Sequence, residues 1–401
     1  MDYNFTLNIG NFNYIDGIIT NYSDEQDTLL LDRYLKNRDI DEPAYTILIV
    51  LYCILIIVGA LGNTLVIASV LRKAAMRTPR NMYIFNLAVA DFLLCTLTMP
   101  MTLMEILTKY FPLGNNLFIC KFIGILQATS IYVSTISISA IALDRYQVIM
   151  YPAKGGLQLR GTIGILVLIW LLAIGLALPL FIIRHLVHHT IPLEDDYLDI
   201  NYCIENWPVK HGRAYYSVFS VIFQYSIPII IVSASYARIS YKLRNRFTSG
   251  FVGGEDNQNN RRELRGRRLH KTNVLLGSIA IIFCVSWLPL NLFNLIADFS
   301  TSKSFTSQPM MICYAVCHMM GMSSACSNPI LYGCLNENFW KEFKDILCIK
   351  SIGGRAGISK KKSFKRTSLR VQYRARPDLV TAGEYQLGNT LSSDLTVLTR
   401  T

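Results

Sequence analysis

Seven stretches of this chain are each long and apolar enough to cross a bilayer, and no other feature limits its fold so tightly. A helix needs about 20 predominantly apolar residues to span the hydrocarbon. The candidates run Ala44–Leu71, Met82–Thr108, Leu117–Met150, Gly161–Ile183, Ala214–Tyr241, Thr272–Phe299 and Pro309–Cys334. The seventh is the least apolar, since it carries His318 and several serines. Lipid offers the backbone no hydrogen-bond partners, so each run must be helical. Composition agrees: 52% of the 401 residues are hydrophobic and the mean hydropathy is +0.32. The expected fold class is an all-α membrane protein, a seven-transmembrane helix bundle.

Charge then orients the bundle. The first 43 residues are polar, and the first apolar run is too long for a signal h-region, so no cleavable signal peptide is expected. The loop after segment one carries Arg72, Lys73, Arg77 and Arg80, and Arg238–Lys271 holds ten Lys/Arg against Glu255, Asp256 and Glu263. The N-terminal arm is acidic (Asp24, Glu25, Asp27, Asp32, Asp39, Asp41, Glu42), as is the loop after segment four (Glu194, Asp195, Asp196, Asp199, Glu205). Basic loops stay cytoplasmic, which places the N-terminus outside. The formal charge of +12 is thus a topology signal and not a nucleic-acid footprint. Sequons at Asn4 and Asn21 lie in the outer arm, where glycosylation is permitted.

Of ten cysteines, Cys53, Cys95, Cys284, Cys326 and Cys334 sit inside spans and read as small apolar residues. Cys313 and Cys317 lie near the outer end of segment seven, where helical context favours free thiols. Cys120 opens segment three on the outside, and Cys203 lies in the loop between segments four and five. Both face the oxidising side and form the natural disulfide pair.

Polar residues inside the spans carry the functional signal. "NLAVADFLLCTLTMP" places Asp91 in an otherwise apolar helix, where a charge is expensive and is functional by default. Segment three ends with Asp144-Arg145-Tyr146 at the cytoplasmic boundary, where an adjacent acid can neutralise an arginine. Pro228, Pro289 and Pro329 each lie mid-membrane, and a proline removes a backbone hydrogen bond and lets the helix bend. Gln127 and Arg145 are separated by about five turns of ~3.6 residues, so one face of segment three joins an outer pocket to the cytoplasmic end. Trp287, Asn291, Asn294 and Asp298 follow at spacings of four, three and four, again one face. Asp298 ends that stripe at the outer rim, near His318, either as a solvated helix-end residue or as the partner of a ligand arginine.

Gly62-Asn63, "LAVAD", Asp144-Arg145-Tyr146, Trp170, "CVSWLP" and "NPILY" together resemble a rhodopsin-like G-protein-coupled receptor over about residues 44–348. The resemblance implies a polar core of Asp91, Asn63, Ser134 and Asn328 that holds a sodium ion, or else acts as a hydrogen-bond hub without one. It implies an activation switch built from Asp144, Arg145, Tyr146, Tyr236, Asn328, Pro329 and Tyr332. Segment seven has no lysine for an opsin's Schiff base, and Gln127 stands where amine receptors carry an acid.

"CIENWP" and "SACSNPILYGCLNENFWKEF" are similar to the neuropeptide Y/neuropeptide F receptor family. With "ALDRYQVI" and "SIAIIFCVSWLPLNLFNL", the likeness is closest to invertebrate short neuropeptide F receptors. That family's ligands end in Arg-Phe-amide or Arg-Tyr-amide. The resemblance implies a ligand-binding set of Gln127, Gln224, Trp287, Asn294, Asp298 and His318. Asp298 and Asn294 would hold the penultimate arginine, Gln127 the terminal amide, and Trp287 would sense the aromatic ring. A longer neuropeptide F/Y-type peptide is the alternative ligand, and Gi/o is the implied G-protein class.

The expected organisation is an extracellular arm (1–43), the bundle (44–334), an amphipathic membrane-surface helix (335–348) and a disordered cytoplasmic tail (349–401). In "NFWKEFKDILCIK", Phe339, Phe343, Ile346 and Leu347 share one face, with Lys341, Glu342, Lys344 and Asp345 opposite. Cys348 is placed for palmitoylation or remains a free thiol. "KKKSFKRTSLR" is a kinase site at Ser363 or Ser368, or a membrane-hugging basic patch. Thr390, Ser392, Ser393, Thr396 and Thr399 would, once phosphorylated by receptor kinases, attract an arrestin. A transporter or channel would want repeated halves, and a membrane enzyme would need a nucleophile–base or metal set. Neither is present in this sequence, so no catalysis is expected, and no cofactor beyond the sodium ion.

Overall fold

The computed structural model describes residues 33–154, 157–192, 197–248, 256–300 and 307–347. Asn4, Asn21, Cys348 and the phosphorylation clusters of the tail lie outside the described residues. Seven helices in the described residues are long and apolar enough to cross a membrane. They are α1 (Ala44–Arg72), α2 (Pro79–Leu107), α3 (Leu117–Met150), α4 (Leu159–Ile183), α5 (Gly212–Lys242), α6 (Asp256–Phe299, crossing over Gly277–Phe299) and α7 (Gln308–Leu335). A short helix, α8 (Glu337–Ile346), follows.

The spans expected from hydropathy agree with these to within a few residues, except at the start of α6. That helix begins well before Thr272, in the polar run "DNQNNRRELRGRRLHK". Arg, Glu, Leu and Lys are good helix formers, so the helix extends beyond its apolar part without hydrocarbon around it.

Caps and prolines set the local details. Thr78 accepts from the Asn81 N–H ahead of Pro79, and Asn116 accepts from the Ile119 N–H at 3.1 Å to open α3. Two helices contain a widened π turn, Leu94–Thr98 in α2 and Val221–Ser226 in α5. Each sits just before a proline, Pro100 or Pro228. The wider turn accommodates the missing donor and the ring clash that proline imposes one turn back.

The helices sort by burial. α1 and α4 present leucines such as Leu61 and Leu168 outward, whereas α3 buries Ser130, Val133, Ser137 and Ala142 around it. Where helices must approach closely, the sequence is small: a Cβ on Gly62 would lie 2.9 Å from Pro329 of α7.

Three regions differ from their sequence expectations. The acidic loop after α4 is an antiparallel hairpin, β1 (Arg184–Pro192) paired with β2 (Tyr197–Glu205). The Cys120–Cys203 disulfide ties β2 to the start of α3, as the topology implied. The end of the arm is docked as well. Asn37 and Tyr110 exchange hydrogen bonds at 3.1 and 2.9 Å, the Asp39 N–H donates to Leu107 O at 2.9 Å, and Ile40 is buried. Thirdly, Glu342 is not on the solvent face of α8: it is buried and ion-paired with Lys73 of the α1–α2 connection. Its position is helically adjacent to Phe339 and Phe343, which pack inward, so the carboxylate is carried in with them.

Candidate ligand-binding site

A cavity of about 560 Å³ opens at the outer end of the bundle, between α2, α3, the hairpin, α5, α6 and α7. Gln127, Gln224, Trp287 and Asn294 of the expected set all line it, with Asn291 between the last two. The α6 stripe therefore does face the pocket up to Asn294. Gln127 accepts from Thr102 Oγ1 at 2.9 Å, and Trp287 Nε1 donates to Ser324 Oγ at 3.0 Å. The indole is buried and packs on Phe283 at 5.8 Å between ring centres.

His318 and Asp298 stand elsewhere than the rim. His318 is fully buried behind Gln127, with its Nε2 3.4 Å from Gln127 Nε2 and its Nδ1 2.9 Å from Tyr52 Oη of α1. Asp298 is neither solvated nor lining the cavity. Its side chain is 5% exposed, accepts from Ser217 Oγ, and lies 3.5 Å from Arg213 Nε. Helical period places Asp298 on the stripe, but which side chains of α5 it meets depends on helix approach that period alone does not give.

Arg213 opens a chain of alternating charges along the pocket wall. Its NH1 donates to Glu205 Oε2 at 2.7 Å; Glu205 Oε1 is 3.7 Å from Arg184 Nε; Arg184 NH1 is 3.4 Å from Glu105 Oε1. The chain thus links α6, α5, β2, β1 and α2. Glu105, Arg184 and Arg213 were not singled out from sequence. The available signal was their place at the outer ends of otherwise apolar spans.

Midway down the bundle, Asp91 is buried and accepts from Ser134 Oγ at 3.0 Å and from Asn328 Nδ2 at 2.7 Å. Asn63 is close by in sequence logic but differently used: its Nδ2 donates to Gly59 O and to Ala325 O of α7, at 2.9 and 3.0 Å. Its Oδ1 is buried with no partner among the described residues. An orphaned oxygen of this kind suits a cation or a water.

At the cytoplasmic end, Arg145 donates to the neighbouring Asp144, and both are buried. Tyr146 Oη accepts from Arg238 NH1 at 3.4 Å, and Tyr236 packs against Ile149 and Ile239. Tyr332 is fully buried, its ring 5.6 Å from Phe339 of α8, and its hydroxyl has no partner among the described residues. Pro329 lies inside α7 beside Asn328.

Among the described residues no three His, Cys, Asp or Glu side chains group as a metal centre. His188 instead bonds Asn201 at 3.0 Å within the hairpin.

Comparison with known proteins agrees with this architecture. Residues 62–332 match the 7 transmembrane receptor (rhodopsin family). The chain is 52% identical over 356 residues to the Neuropeptide F receptor of Drosophila melanogaster, covering 85% of this chain and 72% of that one. It is 37% identical over 300 residues to the Neuropeptide Y receptor type 2 of Sus scrofa, and 36% identical to that of Homo sapiens, each covering 74% of this chain and 75% of the relative. With seven spans, the tethered hairpin and these similarities in place, the chain belongs to the rhodopsin family of seven-transmembrane receptors, among its neuropeptide F/Y receptors, and is not an enzyme.

Proposed function

We propose that this protein is a plasma-membrane receptor, N-terminus outside, for an amidated peptide of the neuropeptide F/Y type ending in Arg-Phe-amide, and that it signals through Gi/o heterotrimeric G proteins. The observation that carries the reading is the outer cavity. It combines side-chain amides (Gln127, Gln224, Asn291, Asn294) with a wall of alternating carboxylates and arginines. Amides can exchange hydrogen bonds with a peptide's terminal carboxamide, and carboxylates can take its arginine in charge-assisted pairs. In this reading Gln127 receives the amide, Asn294 and Asp298 the arginine, and Trp287 the aromatic ring. His318 acts from behind, by holding Gln127. The name of the Drosophila relative favours a neuropeptide F-type ligand over a short one.

The test is a panel of amidated Arg-Phe peptides, short and long, on cells expressing the chain, with calcium and cyclic AMP as readouts. A fall in cyclic AMP at nanomolar peptide supports the reading. Silence to every member, or an undiminished response to free-acid peptides, refutes it. Receptor kinases and an arrestin acting on the tail, glycans on Asn4 and Asn21, and palmitate on Cys348 belong to the same proposal.

The Asp91 carboxylate and Ser134 Oγ would supply oxygens to a sodium ion; Asn328 turns its Nδ2 to the carboxylate, and the Asn63 oxygen is buried and unpartnered among the described residues. Asp91→Asn removes the cluster's only full negative charge. Sodium will weaken agonist binding to the wild type and leave the variant's affinity unchanged. Equal sodium sensitivity in both would leave Asp91 as a hydrogen-bond hub only.

A further inference from the structure

Among the described residues, the chain of charges from Asp298 to Glu105 carries more acids than bases. Set aside Lys109 and Asp39, which close on each other at 3.0 Å. Among the described residues, Glu105, Glu205 and Asp298 then face Arg184 and Arg213, and one negative charge is in excess. Burying an uncompensated charge is unfavourable, so the excess should sit where the wall is most open.

It does so at Glu105. The side chains of Glu205 and Asp298 are 3% and 5% exposed, whereas that of Glu105 is 29% exposed and borders the cavity. Its one described partner is Arg184, at 3.4 Å, which is long for a charge-assisted bond. Arg184 is poorly placed to close that gap. Its guanidinium lies across the backbone of α3, in space that exists because residue 124 is glycine: a Cβ there would be 2.8 Å from Arg184 Nε. The same side chain is also directed toward Cys120 O, at 3.4 Å, and Glu205. Arg184 thus lies between two acids, 3.4 Å from Glu105 and 3.7 Å from Glu205.

We propose that Glu105 is a second cation subsite of this pocket, binding a basic side chain of the peptide upstream of its terminal arginine. The inference rests on the peptide-receptor reading above. It adds a contact at α2, across the cavity from the α6 stripe, and so would fix the direction in which the peptide lies.

Two experiments test it. In the first, amidated peptides ending in Arg-Phe carry alanine upstream and a single lysine moved through those positions. One position should gain roughly tenfold in potency on the wild type, equivalent to one charge-assisted contact. That gain should vanish on Glu105→Gln, and glutamate at the same peptide position should regain it on Glu105→Lys. A lysine gain that persists on Glu105→Gln, or no gain at any position, overturns the subsite. If even the parent peptide is silent on the wild type, the peptide reading itself has failed. The second experiment needs no peptide. Thr108→Cys places a thiol on the cavity one helical turn from Glu105. It is labelled with cationic and anionic methanethiosulfonates, and the same chain without that cysteine gives the background. The cationic-to-anionic rate ratio should fall severalfold when Glu105→Gln is added. An unchanged ratio means that Arg184 already neutralises Glu105, and the proposal is wrong.

Discussion

Cys203→Ser will sharply reduce the receptor at the cell surface and abolish measurable peptide binding at the sites that remain. The Cys120–Cys203 bond spans 83 residues and pins β2 to the outer end of α3. Loss of a native disulfide of this kind typically costs about 2–5 kcal/mol, because the crosslink restricts the unfolded chain. Here the local consequence is as large as the global one. β2 carries Glu205, and β1 carries Arg184, so a released hairpin removes two members of the charged wall from the pocket. Cys120→Ser should match it, and the double variant should be no worse than either single one, since all three break one bond. Surface labelling and saturation binding read both parts. Wild-type binding by Cys203→Ser would show that the hairpin holds its position through the paired strands and the ion pairs alone.

Asp298→Ala is expected to lower peptide potency roughly 10- to 100-fold, the effect of losing a hydrogen-bonded charged partner. Because Asp298 is held by Arg213 and Ser217, a ligand arginine would have to replace or share Arg213 to reach it. A citrulline peptide separates direct from indirect action. Citrulline for the penultimate arginine should weaken the wild type strongly and Asp298→Ala little further, the non-additivity that a direct contact requires. Losses that simply add would mean that Asp298 works by positioning Arg213, with the ligand arginine bound at Glu205. Arg213→Lys, which keeps the charge and loses the fork that spans Glu205 and Asp298, distinguishes these further. Under the direct reading it should leave the citrulline effect intact.

The legibility of this protein follows the range of the forces involved. Span number and the disulfide could be read from the chain because lipid and compartment act on every residue alike, whatever its neighbours. Gln127, Gln224, Trp287 and Asn294 were legible as pocket residues from family resemblance, and three of the four α6 stripe positions from helical period alone. The hairpin was not legible, since its acidic residues outweighed the short apolar alternation of "YLDINYCIE".

What the sequence by itself determined is a seven-span bundle with acid at its centre, at Asp91. Both follow from local composition set against a uniform solvent. What only the tertiary structure decided is who holds whom. Asp298 is shared by Arg213, Asn63 ties α1 to the α7 backbone instead of reaching Asp91, Glu342 turns inward to Lys73, and Glu105 stands as the open end of the charged wall. These pairings join residues far apart in sequence. Charge-assisted bonds form within about 3 Å, so the choice of partner depends on helix approach and rotation that no single segment encodes.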